Sequence, residues 1–331
     1  MKRILSITLA VLAAVCLFRA AQFINTAHAQ EGRGPVVHGV NPDSLPDRGP
    51  ETNTGAAVPG RALTAGGTAA LSAITYHGGP LIGTPTAYLI WYGNWNQSNG
   101  SDTPAGQQIV RDFLNNESNS NYFLINTAGY SAGGYTITGA TGGVGGETSP
   151  GYSHGTRLRD GTILTIVNDA LNAGALPRDA NGVYFVLSSS DVAESSGFCS
   201  QYCGWHTSAS STLISNGRVR YSFVGNANRC LNACAAQTTS PNGNAGVDGM
   251  ISVIAHEFEE ATTDPDPRTG WADSGGSENA DKCAWTFSSH QYQTANGAWA
   301  NMHLGTRDFL VQRNLAASDN KCYIDWVNKY Q

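Results

Sequence analysis

Two short apolar runs do most to limit the fold of this 331-residue chain. Ala87-Tyr88-Leu89-Ile90-Trp91 lies between Pro85 and Gly93, and Val183-Tyr184-Phe185-Val186-Leu187 follows about a hundred residues later. Each is too short for a buried helix and is rich in β-branched and aromatic residues, so each reads as a strand covered on both faces. Between them, Ile109, Val110, Phe113 and Leu114 recur at helical spacing, and so do Ile163, Ile166, Val167, Ala170 and Leu171. Strand and helix signals that alternate in this way imply a single α/β domain with a mixed sheet. A hairpin is expected over Thr212 to Val224 with Asn216-Gly217 at its turn.

The ends are of a different kind. Lys2 and Arg3 precede an apolar run from Ile4 to Phe18, and Ala27-His28-Ala29 supplies a cleavage pattern, so residues 1–29 read as an export signal. The run is too short for a permanent membrane span, and Val15 before Cys16 argues against a lipid anchor. Residues 30–70, rich in Gly, Pro, Asp, Thr and Ala without hydrophobic periodicity, read as a flexible leader, which leaves 71–331 as the folded domain. Losing Lys2, Arg3 and Arg19 with the signal takes the formal charge from −6 to −9, which argues against nucleic acid as a partner.

Export leaves six of the seven cysteines in an oxidising compartment, where disulfides are expected. Cys199 with Cys203 and Cys230 with Cys234 can each close a small loop, and Cys283 is then left for Cys322 in a loop-rich C-terminal part, although other connectivities stay open. A four-thiolate zinc site from the two Cys-x-x-x-Cys pairs is the weaker reading, because free thiolates oxidise outside the cell.

The chemistry concentrates in Val247 to Thr263, a helix that Asp248 can cap and Asp264-Pro265 can end. Ile251, Ile254, Phe258 and Ala261 form an apolar stripe, and His256 and Glu260 stack one turn apart away from it. His256-Glu257-Phe258-Glu259-Glu260 resembles the His-Glu-x-x-His helix of zinc peptidases with a carboxylate as the second ligand. On that pattern His256 and Glu260 hold Zn²⁺, Glu257 is the catalytic base, and Glu278 is the third ligand, with Asp281 either ligating or orienting His256. Asp266 is the reserve choice. Asp264, Asp266, Asp273, Glu278 and Asp281 also offer oxygens to a Ca²⁺ ion. His206 is assigned to packing, with a reach into the metal site as the alternative, and the aromatic clusters Trp91-Tyr92-Gly93-Asn94-Trp95 and Trp299 with Tyr292 are assigned to the core, with sugar or peptide binding as the alternative. No Gly-x-Ser-x-Gly elbow supports a serine nucleophile.

Several blocks together resemble the phosphate-induced protein family, also called EXORDIUM, of plant cell walls and some bacteria. They are Tyr76-His77-Gly78-Gly79-Pro80, Ile90-Trp91-Tyr92-Gly93, Asn181 to Leu187, Gly197-Phe198-Cys199, Cys203-Gly204-Trp205-His206, Val224-Gly225-Asn226, Ser240-Pro241-Asn242-Gly243, His256 to Pro265, Glu278 to Cys283 and Phe309 to Gln312. The resemblance implies a bacterial-type secreted member, extracellular and tied to cell-wall growth control, with no reaction fixed by membership. Two functions are therefore expected in competition: a secreted zinc-dependent hydrolase acting on peptides, or a noncatalytic wall or matrix protein whose ion is structural.

Overall fold

The computed structural model describes residues 36–39 and 72–331; the signal and most of the leader lie outside them. The first apolar run becomes strand β2 (Thr86–Tyr92) and the second becomes β4 (Gly182–Ser188), paired in parallel from Thr86 opposite Gly182 to Tyr92 opposite Ser188. With β1 (Val36–Gly39), β3 (Val144–Gly151), β5 (Tyr202–Ser210) and β6 (Arg218–Gly225), they build one six-stranded sheet in the order β1-β5-β6-β4-β2-β3. The β6-β4-β2-β3 part is parallel, while β5 and β1 add on antiparallel. The sheet is mixed, as the alternating pattern implies.

Both amphipathic segments form helices, as expected, and each lies in a connection between strands of the sheet. Helix α1 (Pro104–Asn116) links β2 to β3, capped by the Thr103 hydroxyl, which accepts from the Gly106 N–H at 3.0 Å, with Pro104 in the first turn, where no donor is lost. Helix α2 (Asp160–Asn172) links β3 to β4 and buries Ile163, Ile166, Val167, Ala170 and Leu171. The third helix, α3 (Ala245–Thr263), starts three residues earlier than Asp248. Its cap is Asn244, whose side chain accepts from Val247 N–H at 3.2 Å, and Asp248 sits inside the first turn, accepting from Asn242. The helix stops at Asp264, whose carboxylate collects the N–H groups of Arg268, Thr269 and Gly270 at 2.6–3.0 Å.

Helix α3 packs on β5, β6 and α1. Phe258 sits in the middle, 5.9 Å from both the Phe123 and the Phe185 ring. The approach to β5 is close because of Gly204: a Cβ there would lie 2.6 Å from Val253 Cγ1 and 2.9 Å from Phe223 O. Side chains alternate along a strand, so His206, two residues on, faces α3 as Gly204 does.

Within the segment 30–70, Val36–Gly39 pairs with β5 along four residues of ladder that no periodicity announces. Two expectations need correcting. The hairpin is larger than Thr212 to Val224: its first strand, β5, ends at Ser210, and Asn216 and Gly217 close the connection to β6, with Gly217 at φ 77°. The cysteines pair as Cys199–Cys230, Cys203–Cys234 and Cys283–Cys322. The first two are not local loops. The single helical turn Leu231–Cys234 lies against the start of β5, and its two ends each meet a cysteine 31 residues back in the chain. The remaining C-terminal chain is a set of two-stranded ribbons, among them Met302–Leu304 with Arg307–Phe309 and Asn314–Ala316 with Lys321–Tyr323. Trp91 and Trp95 pack edge to face at 4.9 Å in the core, whereas Tyr292 is exposed.

Candidate metal centre

One turn of α3 sets His256 Nε2 at 3.0 Å from Glu260 Oε1. The later loop docks on this pair through its backbone: the Asp281 N–H donates to Glu260 Oε1 at 3.0 Å, and the Glu278 N–H donates to Asp281 Oδ2 at 3.1 Å. This brings Asp281 Oδ1 to 3.5 Å from His256 Nε2. Cys283, two residues further, is tied to Cys322, and the Lys282 ammonium reaches Asp273 at 2.6 Å, so both sides of the loop are held.

His206, for which the sequence favoured packing over a place in the site, completes it. His206 comes in from β5 with Nδ1 at 3.2 Å from Glu257 and 3.5 Å from Glu260, and Nε2 at 3.5 Å from Glu278 and 3.3 Å from the Asp264 carbonyl. Two three-residue groups result, His206 with Glu257 and Glu260, and His256 with Glu260 and Asp281, each compact enough to share an ion. Glu260 belongs to both. Glu257 faces His206, and Glu278, expected beside His256 and Glu260, lies against His206.

All of this is shut away. His206, His256, Glu257, Glu260 and Glu278 are at most 1 % exposed, while the Asp281 side chain keeps 21 %. Burial alone would lower the His206 pKa, but the Glu257 and Glu260 carboxylates outweigh it and push it up to about 10. His256 is raised by the same contest, with Glu260 its strongest partner after burial. Burial pushes the Glu257 carboxyl up to about 7 against the pull of both histidines. Burial likewise raises Glu278, helped by the charges of Glu260 and Asp264, and raises Asp281. Glu260 opposes its own burial and is held well below the usual range by His256 and His206. In metal-free protein the imidazoles are thus the counter-charge available to the acids.

The five loop acids do not gather. Asp264 caps α3, Asp266 meets Arg220 at 3.2 Å and Arg218 at 3.6 Å, and Asp273 pairs with Lys282 and Ser72. The reserve ligand Asp266 is therefore committed to arginines; Glu278 and Asp281 join the centre, and Asp264 reaches its edge beside His206 and Glu278.

Residues 74–322 match the phosphate-induced protein 1 conserved region. The chain belongs to the phosphate-induced protein family. Arabidopsis thaliana proteins EXORDIUM-like 5 and EXORDIUM-like 3 are similar to it, at 31 % and 32 % identity over 225 residues, covering 60 % of this chain and 60 % and 64 % of theirs. Protein PHOSPHATE-INDUCED 1 of Nicotiana tabacum is 25 % identical over 226 residues, covering 58 % of this chain and 65 % of its own. The match thus spans about three-fifths of the length of the first of these relatives. No solved structure matches the chain. The matched region contains both histidines, every acid of the centre and all three disulfides. Among the described residues no helix is long and apolar enough to cross a membrane.

Whether the histidine centre suits an ion can be tested on its own atoms. Glu257 Oε1 and Glu278 Oε1 are buried without a hydrogen-bond donor, and Glu260 Oε2 and Glu278 Oε2 each lie 3.5 Å from a His206 nitrogen. Such oxygens are costly unless a cation or proton meets them. A donor set of imidazole nitrogens and carboxylates suits zinc or a neighbouring transition ion better than calcium. The residues fit a divalent ion.

Proposed function

We propose that this chain is an exported, noncatalytic member of the phosphate-induced protein family, acting at a wall or matrix in growth or signalling, with a divalent ion bracing its histidine centre. The ion is zinc by donor chemistry, held by His206, His256, Glu260 and Asp281, with Glu257 and Glu278 beside them; as a Lewis acid it would also polarise any carbonyl that reached it. The observation that carries the noncatalytic reading is closure. A catalytic zinc keeps one position open to substrate, yet five of the six side chains here are at most 1 % exposed. A buried ion in this place ties α3 to β5 and to the Glu278–Asp281 loop, a stabilising job. The three disulfides accord with export to an oxidising compartment.

One observation favours a second reading, a zinc-dependent hydrolase acting on peptides. The Glu257 carboxyl, raised to about 7, lies in the range that a general base at neutral pH requires. Elemental analysis of the purified mature protein, with peptide hydrolysis assayed for wild type and Glu257→Gln, separates the two. The noncatalytic reading expects bound metal and no turnover in either protein. Turnover by the wild type that Glu257→Gln abolishes while keeping its metal overturns it.

A further inference from the structure

The C-terminal ribbons and the loop after α1 enclose an open cleft of about 580 Å³ that shares no residue with the histidine centre. Its volume lies in the range of small-ligand sites. Two aromatic platforms line it. His290 and Tyr292 stand two places apart on one segment, and both face the cleft. The Tyr292 ring is 40 % exposed, and its hydroxyl donates to Asp308 Oδ1 at 2.7 Å. The His290 ring lies flat on Tyr330, with centroids 3.6 Å apart and planes 7° from parallel, and Tyr330 is 38 % exposed. Among the described residues, Tyr292 and Tyr330 are two of the five large apolar side chains left exposed. One exposed tyrosine needs no explanation, but two that are held in place on the walls of one concavity do.

The rings are fixed before any ligand arrives, so stacking on them costs little side-chain order. Around them the surface is polar but poor in usable charge. No Lys or Arg lines the cleft, and its one carboxylate, Asp325, already accepts from the Asn328 N–H at 2.7 Å, Asn328 Nδ2 at 2.8 Å and Asn121 Nδ2 at 2.9 Å. The His303 ring, 60 % exposed, spends Nδ1 on Asp308 at 2.8 Å and keeps Nε2 for a ligand, and the exposed Asn119 brings an amide that both donates and accepts. An anion would meet no cation here. Flat aromatic faces edged by neutral donors and acceptors suit a pyranose, whose axial C–H groups pack on a ring while its equatorial hydroxyls pair with amide and imidazole. Chains joined through equatorial β-links present such C–H faces one after another, which matches two platforms in one cleft. We propose that this cleft binds neutral β-linked sugar chains, with Tyr292 and Tyr330 as its stacking platforms. The inference gives a wall or matrix role its ligand, yet it stands on residues other than those of the metal centre.

The test is native electrophoresis of the mature protein through gels containing hydroxyethyl cellulose or galactomannan, two neutral β-linked polymers, or polygalacturonate or gelatin. At least one neutral polymer should slow the wild type, and added NaCl should not abolish the effect. Tyr292→Ala and Tyr330→Ala should run as in the plain gel with metal content unchanged, whereas Tyr292→Phe, which keeps the ring, should still be slowed. Metal content is read separately, so a failure here leaves the reading of the histidine centre untouched. The proposal is overturned if neither neutral polymer slows the wild type, if only polygalacturonate or gelatin does, if NaCl abolishes the effect, or if the alanine variants are slowed as much as the wild type. Should those variants not fold, hydrogen exchange of the wild type with cellohexaose and mannohexaose decides. Protection of residues 288–304 and 325–331 by either sugar supports the site, and protection only elsewhere or none at all overturns it.

Discussion

His206→Ala in metal-stripped protein removes the imidazolium that faces Glu257 at 3.2 Å and Glu260 and Glu278 at 3.5 Å. The ring is 1 % exposed and the three acids are fully buried, so bulk solvent does not reach the vacated space. Breaking a buried ion pair by deleting one partner costs about 3–5 kcal/mol, because the remaining charge is stranded. In a domain of this size each kcal/mol moves the midpoint by about 2–4 °C, so thermal unfolding at pH 7 followed by circular dichroism should show Tm lower by roughly 6–20 °C. His154→Ala is the internal control. Its pair with Asp169 is shorter, at 2.8 Å, but 28 % and 61 % of the two side chains is exposed, so its loss should cost less than about 1 kcal/mol. If His206→Ala melts within the range of His154→Ala, the buried imidazolium is not the counter-charge of the centre and the electrostatic argument fails.

The same stripped protein should lose stability as pH rises. His206 is raised from 6.5 to about 10, so its contribution is complete below about 6.5 and disappears through about 10; Glu257, raised from 4.5 to about 7, acts in the same direction. Tm measured at pH 6 should therefore exceed Tm at pH 10, and an equal or higher value at pH 10 contradicts the assignment. Zinc affinity by competition with a chelating dye should rise over this interval, since binding must displace those protons. Replacing Cys283 and Cys322 by serine opens a loop of 39 residues and should cost about 2–5 kcal/mol by denaturant unfolding, with a fall in metal content because the Glu278–Asp281 loop is released. Gly204→Ala forces a methyl against Val253 and should cost about 1–3 kcal/mol in the same assay; a neutral result would mean that β5 and α3 can separate freely.

The parts legible in the sequence are those whose signal is local. The strands β2 and β4 and the helices α1 and α2 follow from apolar spacing within about a dozen residues, and the His256–Glu260 contact follows from one helical turn. His206 is different. Its strand is buried on both faces over most of its length, so Cys203-Gly204-Trp205-His206-Thr207 shows no clean alternation, and its partner Glu257 is 51 residues away. A glycine two places before a histidine was the available clue, marking a strand face that another element approaches closely. The disulfides misled for a related reason: Cys-x-x-x-Cys spacing describes two short local geometries, but only the packing of the Leu231–Cys234 turn on β5 decides that the pairs cross. The loop acids were visible as a block, whereas the choice of Asp281 for His256 and Glu278 for His206 depends on which backbone N–H meets Glu260.

Successive residues of α3 point about 100° apart, so Glu257, Glu259 and Glu260 leave the helix in three directions, and all three are fully buried. An apolar neighbour on any of those sides would make the helix unstable, since a lone buried carboxylate is far costlier than the burial of Ile251, Ile254 and Phe258 is favourable. Each direction therefore needs its own compensator, and each has one from a different part of the chain: His206 from β5 at Glu257, Asn314 from a C-terminal ribbon at Glu259, and the Asp281 N–H with His256 at Glu260. The helix can enter the core only when the sheet edge, the disulfide-held loop and the C-terminal ribbons have closed around it. The acids of α3 thus make the late part of the chain a condition of the early fold.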